Sequence, residues 1–452
     1  MMDINPSSKY HLIGIGGDGM SALAHVLLQM GADVVGSDIE ENEHGQILRA
    51  AGAKVHVGHD GDNLDPDTDA VIISSAIPSH NSEIREAKNR GVPVNKRLTA
   101  LAGLMERQKG IGIAGTHGKS TTTTMTATLL QFGGYDPTYM IGADCKQLGG
   151  NSKLGSGDYF VSEVDESDGH FLKLRPEIGL VTNVGRDHLN TYKDEKEIVE
   201  VFSKFLARSE RGVVCVDGAH SEELLAETAR PFTFGIRDKA DLKADNITQQ
   251  GFETSFDVSL RGNFKGRLKL PAPGKHNVYN ALGAMSIGHM VGMDFDQMTD
   301  ILQGFELPNR RFQILRNNGH VIIDDYAHLP EEIEVTLEAI KEGWDPDRVV
   351  AVFQPHRFSR TKHINGQFGD SFKFADTVVV TDIYPACERP IPGVTSELIV
   401  NSIKKKKSRG VHRILNREKL YSFLVQNVEK GDFVVGLGAG DIWKTTKKLA
   451  ER

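Results

Sequence analysis

Ile111-Gly112-Ile113-Ala114-Gly115-Thr116-His117-Gly118-Lys119-Ser120-Thr121-Thr122 is the stretch on which the fold is decided. It opens as an apolar run of strand length and closes as the start of a helix, and the glycines between let the backbone turn sharply. A strand, a glycine turn ending in Gly-Lys-Ser and a helix make a phosphate-binding loop. Successive N–H groups surround the phosphates, Lys119 reaches the β and γ oxygens, and the Ser120 hydroxyl suits Mg2+. The strict form of the pattern has glycine where this chain has Ile113, but the strand-to-helix context and Gly118-Lys119-Ser120 still point to ATP. Such loops stand at the carboxyl end of a parallel sheet, so an α/β domain is predicted from residue 109 onward.

The strands that follow the loop leave polar residues at their own carboxyl ends. One ends at Val161-Ser162-Glu163 and the next at Leu180-Val181-Thr182-Asn183, with His188 just beyond in Asp187-His188. Oxygen ligands suit Mg2+, and a carboxylate beside a triphosphate is tolerable only across a bound metal. The strand end selects Glu163 as a ligand, whereas Asp165 and Asp168 read as solvated loop residues. Farther on, alternating runs over 252–260 and 264–270 flank Arg261-Gly262-Asn263 and predict an antiparallel hairpin.

Upstream, a strand over 12–16 runs into Gly14-x-Gly16-x-x-Gly19 and Met20, then an apolar helix over 21–30 closed by Gly31. A second strand, Val34-Val35, ends at Ser37-Asp38, which completes the literal dinucleotide fingerprint. Any nucleotide diphosphate satisfies those contacts, since the glycines admit a close backbone approach and the helix terminus offers free N–H groups. NAD is therefore not specified. Further strands are predicted at 55–57 and 70–73, with Ser74 and Ser75 following the latter.

Downstream, strands at 321–325, 349–353, 377–381 and 433–437 define a third α/β unit. Arginines and histidines gather there, in Arg310-Arg311, Asp325-Tyr326-Ala327-His328 and Gln354-Pro355-His356-Arg357-Phe358-Ser359-Arg360. Arg357 and Arg360 are spaced to fork onto a carboxylate or phosphate, or else to join a surface ion-pair network. The run Lys404–Lys407 reads as a solvated helix end, and His25 and His289 as packed helix residues.

The chain has 452 residues, enough for about three domains. We place them at 1–108, 109–308 and 309–452, each a mainly parallel α/β sheet with crossover helices, Rossmann-like in the first and third and a phosphate-loop ATPase in the second. With 53 Lys and Arg against 61 Asp and Glu, the net charge is −8, which disfavours a nucleic-acid partner. The three cysteines, Cys145, Cys215 and Cys387, are far apart and lack zinc spacing, so they are expected to be structural thiols of a reducing compartment. No run reaches the roughly 18 apolar residues of a spanning helix, and the amino terminus lacks a signal sequence, so the expected location is the cytoplasm without membrane insertion.

Taken in order, these segments resemble the ATP-dependent Mur ligase family nearly end to end. The resemblance rests on 13–20, 115–122, 163–168, Thr182-Asn183 with Asp187-His188, Pro273-Gly274-Lys275-His276-Asn277 with Asn280, 310–312, 325–328, 354–360, 382–386 and 438–442. It implies a first domain that holds a UDP-sugar through Gly14, Gly16, Gly17, Gly19, Met20, Asp38, Ser74 and Ser75. It implies ATP at Gly115, Thr116, His117, Gly118, Lys119, Ser120, Thr121, His276, Asn277 and Asn280, with Arg311 and Asp325 completing that site from the third domain. Two Mg2+ ions are implied, one on Ser120 and Glu163 and one on Glu163 and His188. Tyr326, His328, His356, Arg357 and Arg360 would surround the acceptor amino acid, and Lys119, Glu163, His188, His328 and Arg357 would carry the catalysis.

The implied reaction joins L-alanine to the lactyl carboxylate of UDP-N-acetylmuramate through an acyl phosphate, in peptidoglycan precursor synthesis, by a monomer or dimer. A ligase that couples a preformed peptide to the same sugar, a non-catalytic nucleotide and UDP-sugar sensor, and a dehydrogenase are the competing readings. Three residues depart from the family's habit: Ser120 where threonine is usual, Leu329 where a second histidine follows His328, and Cys387 where glycine is common. The first keeps the hydroxyl; the second bears on acceptor selectivity; the third places a thiol near the closing interface. No lysine after Asp187-His188 matches the carbamylated lysine of some relatives, Lys204 being merely nearby.

Overall fold

The computed structural model describes residues 2–165, 170–185, 192, 194–228, 230–237, 239–386 and 388–452. The chain builds three α/β domains on mainly parallel sheets, as the sequence predicts. It divides into two compact units, one of residues 1–243, 258–266 and 279–302, the other of residues 244–257, 267–278 and 303–452. Among the described residues no helix is long and apolar enough to cross a membrane.

In the first unit, β1 (Lys9–Ile13), β2 (Asp33–Asp38), β3 (Lys54–Val57), β4 (Ala70–Ile73) and β5 (Val94–Lys96) form a parallel sheet in the order β3-β2-β1-β4-β5. The order reverses at β1, whose carboxyl end is therefore the crevice where such sheets take ligands. β1 stops at Ile13 rather than reaching Gly16, because the N–H groups of Gly14 and Ile15 both turn to the carbonyl of Ser37, at 2.8 and 3.0 Å. The helix Asp18–Gln29 consequently starts three residues earlier than its apolar pattern suggests. It buries Met20, Leu23, Val26 and Leu27 against the sheet.

The second sheet of this unit contains β6 (Lys109–Ala114), β7 (Thr138–Cys145), β8 (Gly150–Lys153), β9 (Tyr159–Glu163), β10 (Ile178–Val181), β11 (Arg211–Cys215) and β12 (Phe232–Gly235), in the order β12-β11-β10-β6-β9-β7-β8. All of these pairs are parallel except β7 with β8. The helix Lys119–Phe132 is buried from Ser120 through Leu130 although half of that stretch is threonine. The hydroxyls of Thr123, Thr124 and Thr126 donate to carbonyls one turn back, at 2.8, 2.7 and 2.8 Å, so these three carry no unmet polarity into the core, whereas the buried Thr128 Oγ1 has no partner among the described residues.

β13 (Leu242–Gln250), β14 (Glu253–Leu260) and β15 (Asn263–Leu270) run through residues shared between the units. The predicted hairpin is present in β14 and β15, and its turn is Arg261-Gly262, both with positive φ (49° and 80°), as a tight hairpin turn requires.

The second unit holds β16 (Gln313–Asn318), β17 (His320–Asp325), β18 (Val349–Phe353), β19 (Thr377–Val380), β20 (Val411–Arg413) and β21 (Phe433–Leu437), in the order β16-β17-β21-β18-β19-β20. Only the edge strand β16 is antiparallel. β18 and β21 are buried along their whole length, with Phe353 and Phe372 in the core on one face and Leu420 and Leu424 on the other. Lys404–Lys406 lie exposed in the last turn of the helix Glu397–Lys406, as expected of a solvated helix end.

Candidate active site

The centre of the first unit is the loop after β6. Ile113 pairs in register with Glu163 on β9, and Ala114 with Val181 on β10, so the loop emerges between two strand ends. Asn183 ties it down: its carbonyl accepts from the N–H of Thr116 (3.0 Å), its Oδ1 from the N–H of His117 (2.9 Å), and its Nδ2 donates to the His117 carbonyl (3.0 Å). The Thr182 hydroxyl donates to the same carbonyl at 2.6 Å, and the Thr116 hydroxyl accepts from the N–H of Gly185 at 2.8 Å.

Two glycines here admit no substitute. Gly115 (φ 127°) has no room for a Cβ, which would stand 2.2 Å from Thr182 Oγ1. Gly118 (φ 79°) is the cap residue of the helix Lys119–Phe132, and a Cβ there would stand 2.3 Å from Asn280 Oδ1. Asn280 also accepts from the Thr122 hydroxyl at 3.2 Å. Lys119 folds over the loop, its Nζ donating to the carbonyls of Gly115 (2.5 Å) and Thr116 (3.2 Å). The cradle has the shape and the donors for an oligophosphate, with the helix terminus and one cation converging on it.

Glu163, at the end of β9, accepts from the N–H of Gly142 on β7 at 3.1 Å. Among the described residues no group of three His, Cys, Asp or Glu gathers to hold a metal. Ser120 and Glu163 are a hydroxyl and a carboxylate, hard donors of the kind Mg2+ takes when substrate phosphates and water complete its shell. His188, Glu166, Asp168 and Asp187 lie outside the described residues.

Glu163 and Asp165 also line a cavity of about 270 Å³ with Gly17, Gly19, Met20, Ser74 and Ser75. The glycine turn of the first sheet and the strand end of the second thus face one space. Asp38 stands at the turn but does not point outward: its two oxygens accept from the N–H groups of Gly16 and Ile39, each at 2.8 Å. Its carboxylate shapes the turn. Gly14 (φ 80°) and Gly16 do not line the cavity. Arg97, unnoticed in the sequence, lines the cavity and lies 3.9 Å from Asp165. Its one signal was its place directly after β5, at another strand end of the same sheet.

In the second unit, Asp325 is buried at the end of β17. Its oxygens accept from the N–H groups of Phe312 and Ala327, each at 2.7 Å, and burial pushes its carboxyl up to about 6 despite Arg311 and those two bonds. Arg311 is stacked over the ring of Tyr326, 4.8 Å from its centre, and Arg310 lies over the same ring at 5.1 Å. Positive φ at Arg310 and Phe312 bends the chain on either side of Arg311.

Tyr326, His328, His356 and Tyr384 form a chain of rings, the last pair stacked at 5.7 Å. His328 Nδ1 faces the Tyr326 carbonyl at 3.1 Å, while Glu332, a second residue the sequence reading passed over, accepts from the N–H of His328 at 2.9 Å. Arg360 lies 3.0 Å from His356 Nδ1, and Arg357 takes positive φ (69°) at the start of the helix Phe358–Ile364. Leu329, the departure from the histidine pair, is buried in the core. The helix Lys275–Met290 carries His276 and Asn277 in this unit and Asn280 in the other, and Asn277 Nδ2 donates to the Pro273 carbonyl at 2.7 Å.

His25 is packed in its helix against Ser152 (3.2 Å), and His289 between Phe232 and Phe295. Cys145 and Cys215 are buried, and Cys387 lies outside the described residues.

Three protein-family models match the sequence in succession: the Mur ligase family catalytic domain over 9–109, the Mur ligase middle domain over 113–288 and the Mur ligase glutamate ligase domain over 310–440. The UDP-N-acetylmuramate–L-alanine ligase of Pelotomaculum thermopropionicum is 44% identical over 451 residues, covering 98% of this chain and 97% of its own. That of Geobacter sulfurreducens is 42% identical, covering 97% and 96%. Among solved structures, the UDP-N-acetylmuramate-alanine ligase of Thermotoga maritima superposes with a TM-score of 0.85 at 32% identity, over 98% of each chain.

Proposed function

The chain belongs to the Mur ligase family, and from that premise we propose that it is the ATP-dependent ligase that adds L-alanine to UDP-N-acetylmuramate. The observation that carries this reading is the shared cavity: the glycine turn of the first sheet and Glu163, register partner of the strand that launches the phosphate loop, line one space. A sugar nucleotide whose diphosphate rests on that turn brings its far end toward the phosphate loop.

The lactyl carboxylate attacks the γ-phosphorus of ATP, so a carboxylate oxygen–phosphorus bond forms as the bond to the bridging oxygen breaks and ADP leaves. The amine of L-alanine then attacks the acyl carbon, and the carbon–oxygen bond to phosphate breaks. Carboxylate and triphosphate repel one another. Lys119 and the loop N–H groups offset that repulsion and align the transfer. Mg2+, held by Ser120 and Glu163 with His188 helping to hold a second ion, would supply further positive charge at the phosphates.

Within the third domain, Arg357 and Arg360 grip carboxylates, and a neutral His328 takes the proton that frees the acceptor amine. The division of labour follows the boundaries 1–108, 109–308 and 309–452. A UDP-linked substrate and ATP support a cytoplasmic location.

The test is isotopic. With 18O in the lactyl carboxylate, the released phosphate carries one labelled oxygen if the acyl phosphate forms. Unlabelled phosphate, with UDP-N-acetylmuramoyl-L-alanine still produced, would refute that step.

A further inference from the structure

One carboxylate in the sugar-nucleotide cavity works against its purpose. Asp18 is the first residue of the helix Asp18–Gln29 and lines the cavity beside Gly17 and Gly19. An acid in a first helical turn suits the helix dipole, but here it lies where a diphosphate would share the same N–H groups. The residue is held in place: its carbonyl accepts from Asn151 Nδ2 at 3.2 Å, and Asn151 also reaches Ser21 Oγ at 3.3 Å.

The compensation comes from outside the turn. His44 lies on the helix Glu43–Ala50, capped by Asn42, whose Oδ1 accepts from the N–H of Gly45 at 2.8 Å. Asn42 is packed so closely on the glycine turn that a Cβ at Gly16 would stand 2.1 Å from its Nδ2. That helix delivers His44 Nε2 to 3.0 Å from Asp18 Oδ1 and 3.9 Å from Asp144 Oδ2, the latter on β7 of the neighbouring sheet. We propose that His44 is a positioning residue for the sugar nucleotide: as an imidazolium between Asp18 and Asp144 it offsets the negative charge of Asp18 in the cavity wall and keeps the glycine turn receptive to a diphosphate.

The groups facing His44 are Asp18, Asp144 and Glu43, all acidic, and Asp18 above all raises its pKa from 6.5 while burial opposes them. Asp144 is itself raised by burial. Arg97, whose guanidinium lies against Gly19 of the turn, faces Asp165 at 3.9 Å. When His44 loses its proton, one uncompensated negative charge appears beside the bound diphosphate. A single charge at such a distance in a solvated cleft changes binding about threefold to tenfold.

The inference rests on the reading that the sugar nucleotide's diphosphate occupies this turn. The experiment is the KM for UDP-N-acetylmuramate between about pH 6 and about pH 9, with KM for ATP as internal control, in wild-type protein and in His44→Gln, His44→Lys and Asp18→Asn. The wild-type KM for the sugar rises about threefold to tenfold as pH rises, while that for ATP does not follow it. His44→Gln shows the high value throughout; His44→Lys, with a permanent cation, stays low and flat, and Asp18→Asn, which removes one of the two carboxylates, lies below His44→Gln at about pH 9. A wild-type profile without the rise, or a His44→Gln profile superimposable on it, overturns the proposal. Failure of the underlying reading looks different, because wild-type protein would then neither turn over the sugar nucleotide nor bind UDP in a calorimeter at any pH.

Discussion

Gly118 and Asn280 are fitted to one another: the space a Cβ would need on the glycine is taken by the asparagine Oδ1, 2.3 Å from where that carbon would lie. The contact joins the phosphate loop to the helix Lys275–Met290, and the left-handed φ of 79° adds a second reason for glycine. Gly118→Ala is expected to lower kcat/KM for ATP at least about 100-fold, because loop donors that miss their position by about 1 Å lose that much. Stability falls by only about 1–3 kcal/mol. Steady-state kinetics beside urea unfolding separates the two effects.

Ser120 and Lys119 divide the cost of the phosphate loop. Lys119→Met is expected to lower kcat by about 1000-fold with unchanged far-UV circular dichroism, since its Nζ donates to two carbonyls of the loop itself. Ser120→Thr keeps the hydroxyl and stays within about threefold of wild type, whereas Ser120→Ala raises the Mg2+ concentration needed for half-maximal rate about tenfold or more. Titrating Mg2+, and removing it with EDTA, reads this directly.

Arg310 is expected to matter for folding more than for turnover. Its Nε lies 3.1 Å from Asp324 Oδ2 and its Nη2 donates to the Gly438 carbonyl at 2.6 Å, while burial raises the Asp324 pKa and Oδ1 of that residue lacks a partner among the described residues. Arg310→Ala strands a buried carboxylate and costs about 3 kcal/mol. Asp324→Asn in the same background recovers part of that loss, which a denaturation series on the four proteins would show.

Asp325 gives a pH dependence of defined sign. Its folded pKa, about 6, lies above the ordinary 3.8, so between those values the unfolded chain has released a proton that the folded one keeps. Its contribution to stability is therefore greatest below about pH 4 and declines as pH rises to about 6, by at most about 3 kcal/mol. The stability advantage of wild type over Asp325→Asn should shrink across that interval and level off above it, as followed by denaturation midpoints.

Cys215 is buried, and burial pushes its thiol up to about 11; Cys145 is buried as well. Neither is expected to react with iodoacetamide in folded protein at about pH 8, where a free exposed thiol would. Peptide mapping by mass spectrometry after a timed pulse checks each site.

Much of this was legible in the sequence because local chemistry and tertiary role coincide there. Glycines at 115 and 118 are required by backbone angle and by neighbours at once, and Glu163 ends a strand that pairs with the loop's own strand. Arg97 and Glu332 were not legible. Their importance comes from what lies opposite them, across a cavity or one helical turn back, and spacing along one strand or helix does not encode that. Asp38 matched a nucleotide-binding fingerprint, yet its carboxylate holds the turn's own N–H groups. The β1 boundary shifted because carbonyl 37, distant in sequence, captured the N–H groups that would have extended the strand.

The central claim, that a single L-alanine is joined to UDP-N-acetylmuramate, is tested most directly by phosphate release with ATP, Mg2+ and that sugar, comparing L-alanine, glycine, L-serine and a tripeptide as acceptors, with each product weighed by mass spectrometry. The account predicts the highest kcat/KM with L-alanine and a product heavier than the sugar nucleotide by one alanyl residue. Faster turnover of the tripeptide, or tight binding of both nucleotides with no product from any acceptor, would contradict it.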